Sequence, residues 1–155
     1  MNKRAFVLDD EEMLRELLRQ VLEDRGYEVL TFANPGLCPL YKEGKCRCRI
    51  GEACGDIIIS DVSMPNVSGL EFVERQKKME CKIKKVALMS GRWSEPDVEK
   101  AKSLGCTVFQ KPFSLAEIEK WLDECENRIA PERILTDWFK EKLVQEQKEA
   151  ANQSL

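Results

Sequence analysis

The sequence predicts a doubly wound α/β domain on a five-stranded parallel sheet. Two observations carry this. Short apolar runs each stop at a polar residue: Ala5–Leu8 at Asp9-Asp10, Ile57–Ile59 at Ser60-Asp61, Val86–Met89 at Ser90, and Val108–Gln110 at Lys111-Pro112. Runs of that length bounded by turn signals read as strands buried on both faces of a parallel sheet. Between them lie stretches with helical spacing or capping residues, so strand and helix alternate.

Taken in order, the first strand covers about 4–9 and a helix about 11–25, with Met13, Leu14, Leu17, Leu18, Val21 and Leu22 on one buried face and Gly26 closing it. The second strand is Glu28–Phe32. Residues 34–55 break the alternation: Pro35, Gly36, Pro39, Gly44, Gly51 and Gly55 argue against a long helix, and Cys38, Cys46, Cys48 and Cys54 crowd the same stretch. The third strand is 56–61, followed by a loop at 64–69 and a helix at about 69–79 anchored by Leu70, Phe72 and Val73. The fourth strand is 85–90. Ser94 caps a helix running to about Ser103, with Pro96 in its first turn, and Gly105 ends it before a fifth strand at 107–110. Ser114 and Glu117 form a capping-box signature for a helix at 115–128. Pro131 is expected to start a last helix at about 132–148, with 151–155 frayed.

Right-handed crossovers would place helices on both faces, the flavodoxin-like architecture with strand order 2-1-3-4-5. The expected organisation is a domain over 1–130, with 34–55 as a Cys-rich insert replacing much of the second helix, and a helical extension over 131–150.

The composition narrows the function. A chain of 155 residues, 43% hydrophobic and 34% charged, suits one soluble domain. With net charge −3 and no dense basic block, nucleic-acid binding is not expected. No apolar stretch approaches a signal-peptide core or a membrane span, so a cytoplasmic protein without a membrane partner is expected. Seven cysteines is an odd number, which argues against a complete disulfide framework. The absence of histidine excludes His catalysis, His metal ligation and phosphohistidine on this chain.

In a parallel sheet the strand ends converge on one edge, where open α/β sheets bind ligands. Asp9, Asp10 and Asp61 would meet there with Ser90 and Lys111. Crowded carboxylates repel and persist only with a compensating cation. Hard oxygen ligands at an open site select Mg²⁺, which often also takes a phosphate oxygen. Asp61 is then the natural nucleophile for an acyl phosphate, with Lys111 as point charge and Ser90 as hydrogen-bond donor.

Four segments, Val7-Leu8-Asp9-Asp10-Glu11, Ile59 to Pro65 with Gly69, Ala87 to Gly91, and Lys111-Pro112-Phe113, make the chain resemble the receiver domain of two-component response regulators over about residues 3–128. The resemblance implies Asp61 as phosphoacceptor. It implies a Mg²⁺ site from Asp10, Asp61, the backbone carbonyl of Ser63 and, through water, Asp9. Ser90 becomes the switch hydroxyl, Lys111 the conserved-type lysine, and the Lys111–Pro112 bond cis. It further implies phosphoryl transfer from a histidine kinase or phosphotransfer protein. In such domains a ring three residues before the lysine turns inward on activation; here that position is Val108. Phe109 comes one later and is expected in the core, on the face opposite Val108 and Gln110. Ser63 and Arg92 stand at the two variable positions beside the phosphorylation site.

The cysteine segment admits several readings. A structural Zn²⁺ held by Cys38, Cys46, Cys48 and Cys54 leads, since a loop without a helix needs another staple and nearby Lys42, Lys45, Arg47 and Arg49 would offset thiolate charge. Redox-active thiols and unliganded thiols are the alternatives, and the spacing does not fit an Fe–S cluster. Cys81, Cys106 and Cys125 read as buried fillers. In the tail, Ile134, Leu135, Trp138, Phe139 and Leu143 make an apolar stripe that folds back on the domain, pairs with a second copy as a homodimer, or docks a partner. The leading function is a receiver acting by contact with an unknown downstream protein, not an enzyme. The alternative is a metal- or redox-sensing module on the same scaffold. A Mg²⁺-dependent phosphatase lacks its second acid, because Ser63 stands two residues after Asp61.

Overall fold

In the computed structural model, which describes residues 2–41, 45–140 and 143, the five expected strands form one parallel sheet. In chain order the elements are β1 (Lys3–Leu8), α1 (Glu12–Asp24), β2 (Tyr27–Phe32), β3 (Glu52–Ala53), β4 (Ile57–Asp61), α2 (Gly69–Lys78), β5 (Lys85–Ser90), α3 (Glu95–Ser103), β6 (Thr107–Gln110), α4 (Leu115–Glu126) and β7 (Ile134–Leu135). The sheet order is β2-β1-β4-β5-β6, which is 2-1-3-4-5 for the five long strands and matches the flavodoxin-like expectation. Leu8 lies beside Phe32 and Ser60, Asp61 beside Met89, and Ser90 beside Gln110, so the strand ends are level with one another.

Alternation sorts the strand residues onto two faces. Ala5, Val7, Ile57, Ile59, Ala87 and Met89 pack under α1 and α4, against Leu18, Leu22, Ile118, Trp121 and Leu122. Phe6, Leu8, Ile58, Val86 and Leu88 pack under α2 and α3, against Phe72, Val73 and Ala101. Phe109 belongs to the first face as expected, edge-on to Phe113 and Trp121 at 6.1 and 6.0 Å. Val108 packs on the other. Ser94 and Ser114 cap their helices through the amides of Asp97 and Glu117, and Glu117 returns the bond to complete the capping box. The buried stripe of α1 is narrower than expected. Leu18 and Leu22 are buried, whereas Met13 is 87% and Leu17 45% exposed, because the sheet reaches only part of that helix face.

Between β2 and β4 the described residues hold no α-helix, only a 3₁₀ turn at Pro35–Leu37 and the two residues of β3. The second face is completed there by Cys38, Leu40, Cys48, Cys54 and Phe139.

Phe139 arrives from the C-terminal segment, where the expected helix over 132–148 needs correction. Ile134–Leu135 is a strand, β7, parallel to β3, and among the described residues of this stretch helix is found at Lys140 and Leu143; residues 141–142 and 144–148, and the expected fraying at 151–155, lie outside the described residues. The reason is competition for the backbone: the Ile134 and Thr136 amides donate to the carbonyls of Gly51 and Ala53 at 2.9 Å each. Side chains fasten the same strap. Arg133 grips both oxygens of Asp56 (2.5 and 2.6 Å). Arg4, 4% exposed, donates to the carbonyls of Cys54 and Thr136 (3.0 and 2.7 Å) and pairs with Asp137 at 2.5 Å. The strap thus folds back on the domain, extended rather than helical, and buries Phe139 edge-on to Phe6 at 5.4 Å.

Candidate functional site

The level strand ends gather the predicted acidic residues. Asp9 follows β1 and Asp61 ends β4; their carboxylate oxygens and one from Asp10 all lie within 4.8 Å of one another. Asp9 is fully buried and Asp61 nearly so, while Asp10 faces solvent. The Lys111 ammonium, just past β6, sits 3.1 Å from Asp9 Oδ2 and 3.3 Å from Asp61 Oδ2. The bond between Lys111 and Pro112 is cis, as the resemblance implied. Asp9 is itself held: its Oδ1 accepts the Glu11 amide at 2.8 Å and its carbonyl accepts from Arg15 at 2.7 Å. Asp61, Ser63, Ser90, Arg92 and Lys111 line one cleft of about 620 Å³. The predicted acidic-pocket residues are therefore brought together.

Three carboxylates against one ammonium leave the group net negative, and its hard oxygen donors suit a divalent cation such as Mg²⁺. The same crowding acts on protons. Burial, then the charge of Asp9, pushes the Asp61 carboxyl up to about 6; Lys111 pulls the other way and Asp10 adds to the rise. Burial works against the Lys111 ammonium, yet the hydrogen bond and charge of Asp9, together with Asp61, leave it raised.

These shifts fix the sign of a stability effect. The folded state holds the Asp61 proton more tightly than an unfolded chain, whose Asp titrates near about 4. Stability therefore falls as pH rises from about 4 through 6, and above that the ionised Asp61 carries a constant penalty of about 2–3 kcal/mol. Asp61→Asn is expected to stabilise the metal-free protein by about 2 kcal/mol at pH 7.5, with the gain fading toward pH 4. Urea titrations in a chelator check this; a gain that persists at pH 4 would place its origin elsewhere.

The parts played by two residues escaped the sequence reading. Gly69, at the start of α2, passes so close to β4 that an added Cβ would overlap the Asp61 carbonyl oxygen, and its amide donates to Val62 O at 2.9 Å. Glycine was visible there, but nothing local signalled the approach. Trp93, in the loop after β5, packs in the same cluster as Val108 and donates its indole N–H to Phe109 O at 2.9 Å. Gln110 ties the same loop through Gly91 O at 3.1 Å. Ser90 is buried, and its hydroxyl accepts the Arg92 amide at 3.0 Å.

The cysteine group differs from the expected set. Cys46, Cys54 and Cys81 line one small cavity, and Cys48 lies beside them, close enough to perturb Cys46 and Cys54. Cys38 does not line that cavity: it is fully buried, its carbonyl accepts the Tyr41 amide at 3.1 Å, and burial pushes its thiol up to about 12. Cys81, expected as a filler, joins the cluster because the turn after α2 delivers it opposite Cys54. Cys106 and Cys125 are buried fillers as expected. The Cys48 thiol is lowered to about 6, first by its bond with Cys54, against burial, and then by Thr136, Trp138 and Cys46. The Cys54 thiol is raised, chiefly by its bonds with Cys48 and Cys81.

Comparison with known proteins gives a consistent result. Residues 5–123 match the response regulator receiver domain. Sporulation initiation phosphotransferase F of Bacillus subtilis (strain 168) is 31% identical over 119 residues, 76% of this chain and 89% of that protein. The DNA-binding transcriptional regulator NtrC of Azospirillum brasilense is 27% identical over 130 residues, 84% of this chain but only 25% of that protein. Among solved structures, the chemotaxis protein CheY4 of Vibrio cholerae superposes with a TM-score of 0.63 at 28% identity, covering 81% of this chain and 99% of that one.

Proposed function

The chain belongs to the response regulator receiver family, and from that premise we propose that it is a phosphorylation-dependent switch whose phosphoacceptor is Asp61. Receiver domains are signalling domains of two-component systems rather than enzymes, and they interact with histidine kinases or phosphotransfer proteins. The observation that carries the proposal is the Lys111 ammonium bridging Asp9 and Asp61 at 3.1 and 3.3 Å, beside a cleft that opens onto Asp61.

Receiver domains bind Mg²⁺ at this acidic pocket. Here Asp10, Asp61, the Ser63 carbonyl and, through water, Asp9 would hold it, and when bound it supplies charge neutralisation for an incoming phosphoryl group. An oxygen of Asp61 attacks the phosphorus of a phosphohistidine on the partner, since this chain has no histidine. The P–N bond breaks, the imidazole nitrogen leaves, and an acyl phosphate remains on Asp61. Lys111 pairs with one phosphoryl oxygen as a point charge. Ser90 already accepts the Arg92 amide through its oxygen, which leaves its own proton to donate to a second phosphoryl oxygen. Transfer of this kind depends mainly on positioning and charge neutralisation. Leu14, Leu17 and Leu115 add an apolar rim to the cleft, two of them exposed, on which a partner can rest. Output then passes by protein contact to a downstream partner.

Acetyl phosphate with Mg²⁺ should add one phosphoryl group to the protein, mapped to Asp61 by mass spectrometry. Asp61→Asn and removal of Mg²⁺ by a chelator should each abolish the label. Label that survives Asp61→Asn, or maps to another residue, would refute the assignment.

A further inference from the structure

We propose that Cys46, Cys48, Cys54 and Cys81 form a second metal site, a tetrathiolate that holds one Zn²⁺ and staples the C-terminal strap to the domain. The site lies on the face covered by α2, away from the strand-end carboxylates.

The four thiols are electrostatic neighbours: Cys48 is perturbed by Cys46 and Cys54, and Cys54 by Cys48 and Cys81. Cys46, Cys54 and Cys81 also line a common cavity with Lys45, Gln76 and Trp138. Its volume, about 10 Å³, suits an ion and excludes an organic ligand. Binding would draw the Cys46, Cys48 and Cys81 sulfurs in toward Cys54 around this cavity, since no three of the four yet lie within 4.8 Å of one another. Four soft sulfur donors select Zn²⁺ over the hard cations that suit the carboxylate pocket.

The surroundings of the sulfurs donate hydrogen bonds. Cys48 Sγ lies 3.8 Å from the Thr136 hydroxyl, and Trp138 acts on the same thiol. Cys81 Sγ accepts from Gln76 Nε2 at 3.9 Å. A neutral thiol is a weak acceptor, whereas a metal-bound thiolate needs such outer partners. Charge is compensated as well. Four Zn–S bonds form as the remaining thiol protons leave to solvent, with no change of oxidation state, giving a net charge of −2. Lys45 lines the cavity, Lys84 acts on Cys81, and Arg47 stacks over the Trp138 ring at 5.5 Å.

The metal would also explain what orders this part of the fold. Among its described residues, the segment from β2 to β4 has only a 3₁₀ turn and the two residues of β3 as regular structure. A tetrathiolate joins it to the turn after α2, and Thr136 and Trp138 extend the tie to the strap.

Protein purified anaerobically without added metal should contain one zinc per chain by mass spectrometry. X-ray absorption on the unaltered protein should show four sulfur neighbours at about 2.3 Å. Cys81→Ser should lose the zinc, while Cys38→Ser should keep it. The proposal fails if zinc is absent or substoichiometric, if the first shell contains oxygen or nitrogen, or if disulfides link these cysteines in the anaerobic protein. It fails equally if Cys38→Ser loses the metal and Cys81→Ser retains it. The absorption spectrum decides the question even if a variant does not fold, and none of these readouts depends on Asp61.

Discussion

Phe139→Ala should cost about 3–5 kcal/mol of unfolding free energy, the range for emptying a fully buried aromatic site. The ring is wholly removed from solvent, meets Phe6 edge-on at 5.4 Å and lies under the Arg4 guanidinium at 5.1 Å. No α-helix between β2 and β4 shields Phe6 on that face among the described residues, so the space left by the ring has little with which to collapse. Ile134→Ala is the internal control: that side chain is 62% exposed, and its loss should change stability by no more than about 0.5 kcal/mol. Denaturant titrations of both variants measure the contrast. A Phe139→Ala loss below about 1 kcal/mol would mean that the strap merely lies on the domain.

Lys111→Met is the second large effect. The thioether keeps the bulk of the stem and removes the ammonium that faces Asp9 and Asp61. Deleting one member of a buried charge group leaves the others uncompensated, at about 3 kcal/mol here. The loss should be greatest at pH 8 in a chelator. It should shrink below about pH 6, because Asp61 regains its proton there, and without the lysine's pull it does so at higher pH still. Millimolar Mg²⁺ should restore part of it. A variant as stable as the parent across this range would show that the ammonium does not balance the pocket.

The acidic pocket was legible because parallel strands convert sequence order into spatial neighbourhood. Once Asp9, Asp61, Ser90 and Lys111 are each placed at a strand end, the crossover rule leaves one edge where they can meet. The caps at Ser94 and Ser114 were legible for a local reason, since each needs only an amide three residues ahead. Features decided by distant partners were not legible. Ile134, Leu135, Trp138 and Phe139 have spacings that also fit a helix; the strap becomes extended because Gly51 and Ala53 offer carbonyls from another part of the chain. Cys81 lies 27 positions beyond Cys54 in the sequence, so nothing in the spacing of the cysteine segment pointed to it. Trp93 has no local signal either, since its role comes from an indole bond to the Phe109 carbonyl on β6.

That indole has a mechanical consequence. The loop carrying Ser90 is latched to β6 at two points, by Trp93 onto Phe109 and by Gln110 onto Gly91. A pull on the Ser90 hydroxyl therefore either drags β6 with it or unfastens the latch. A chromophore sits on the moving part itself, so the event is visible in this protein's own light emission without any attached dye.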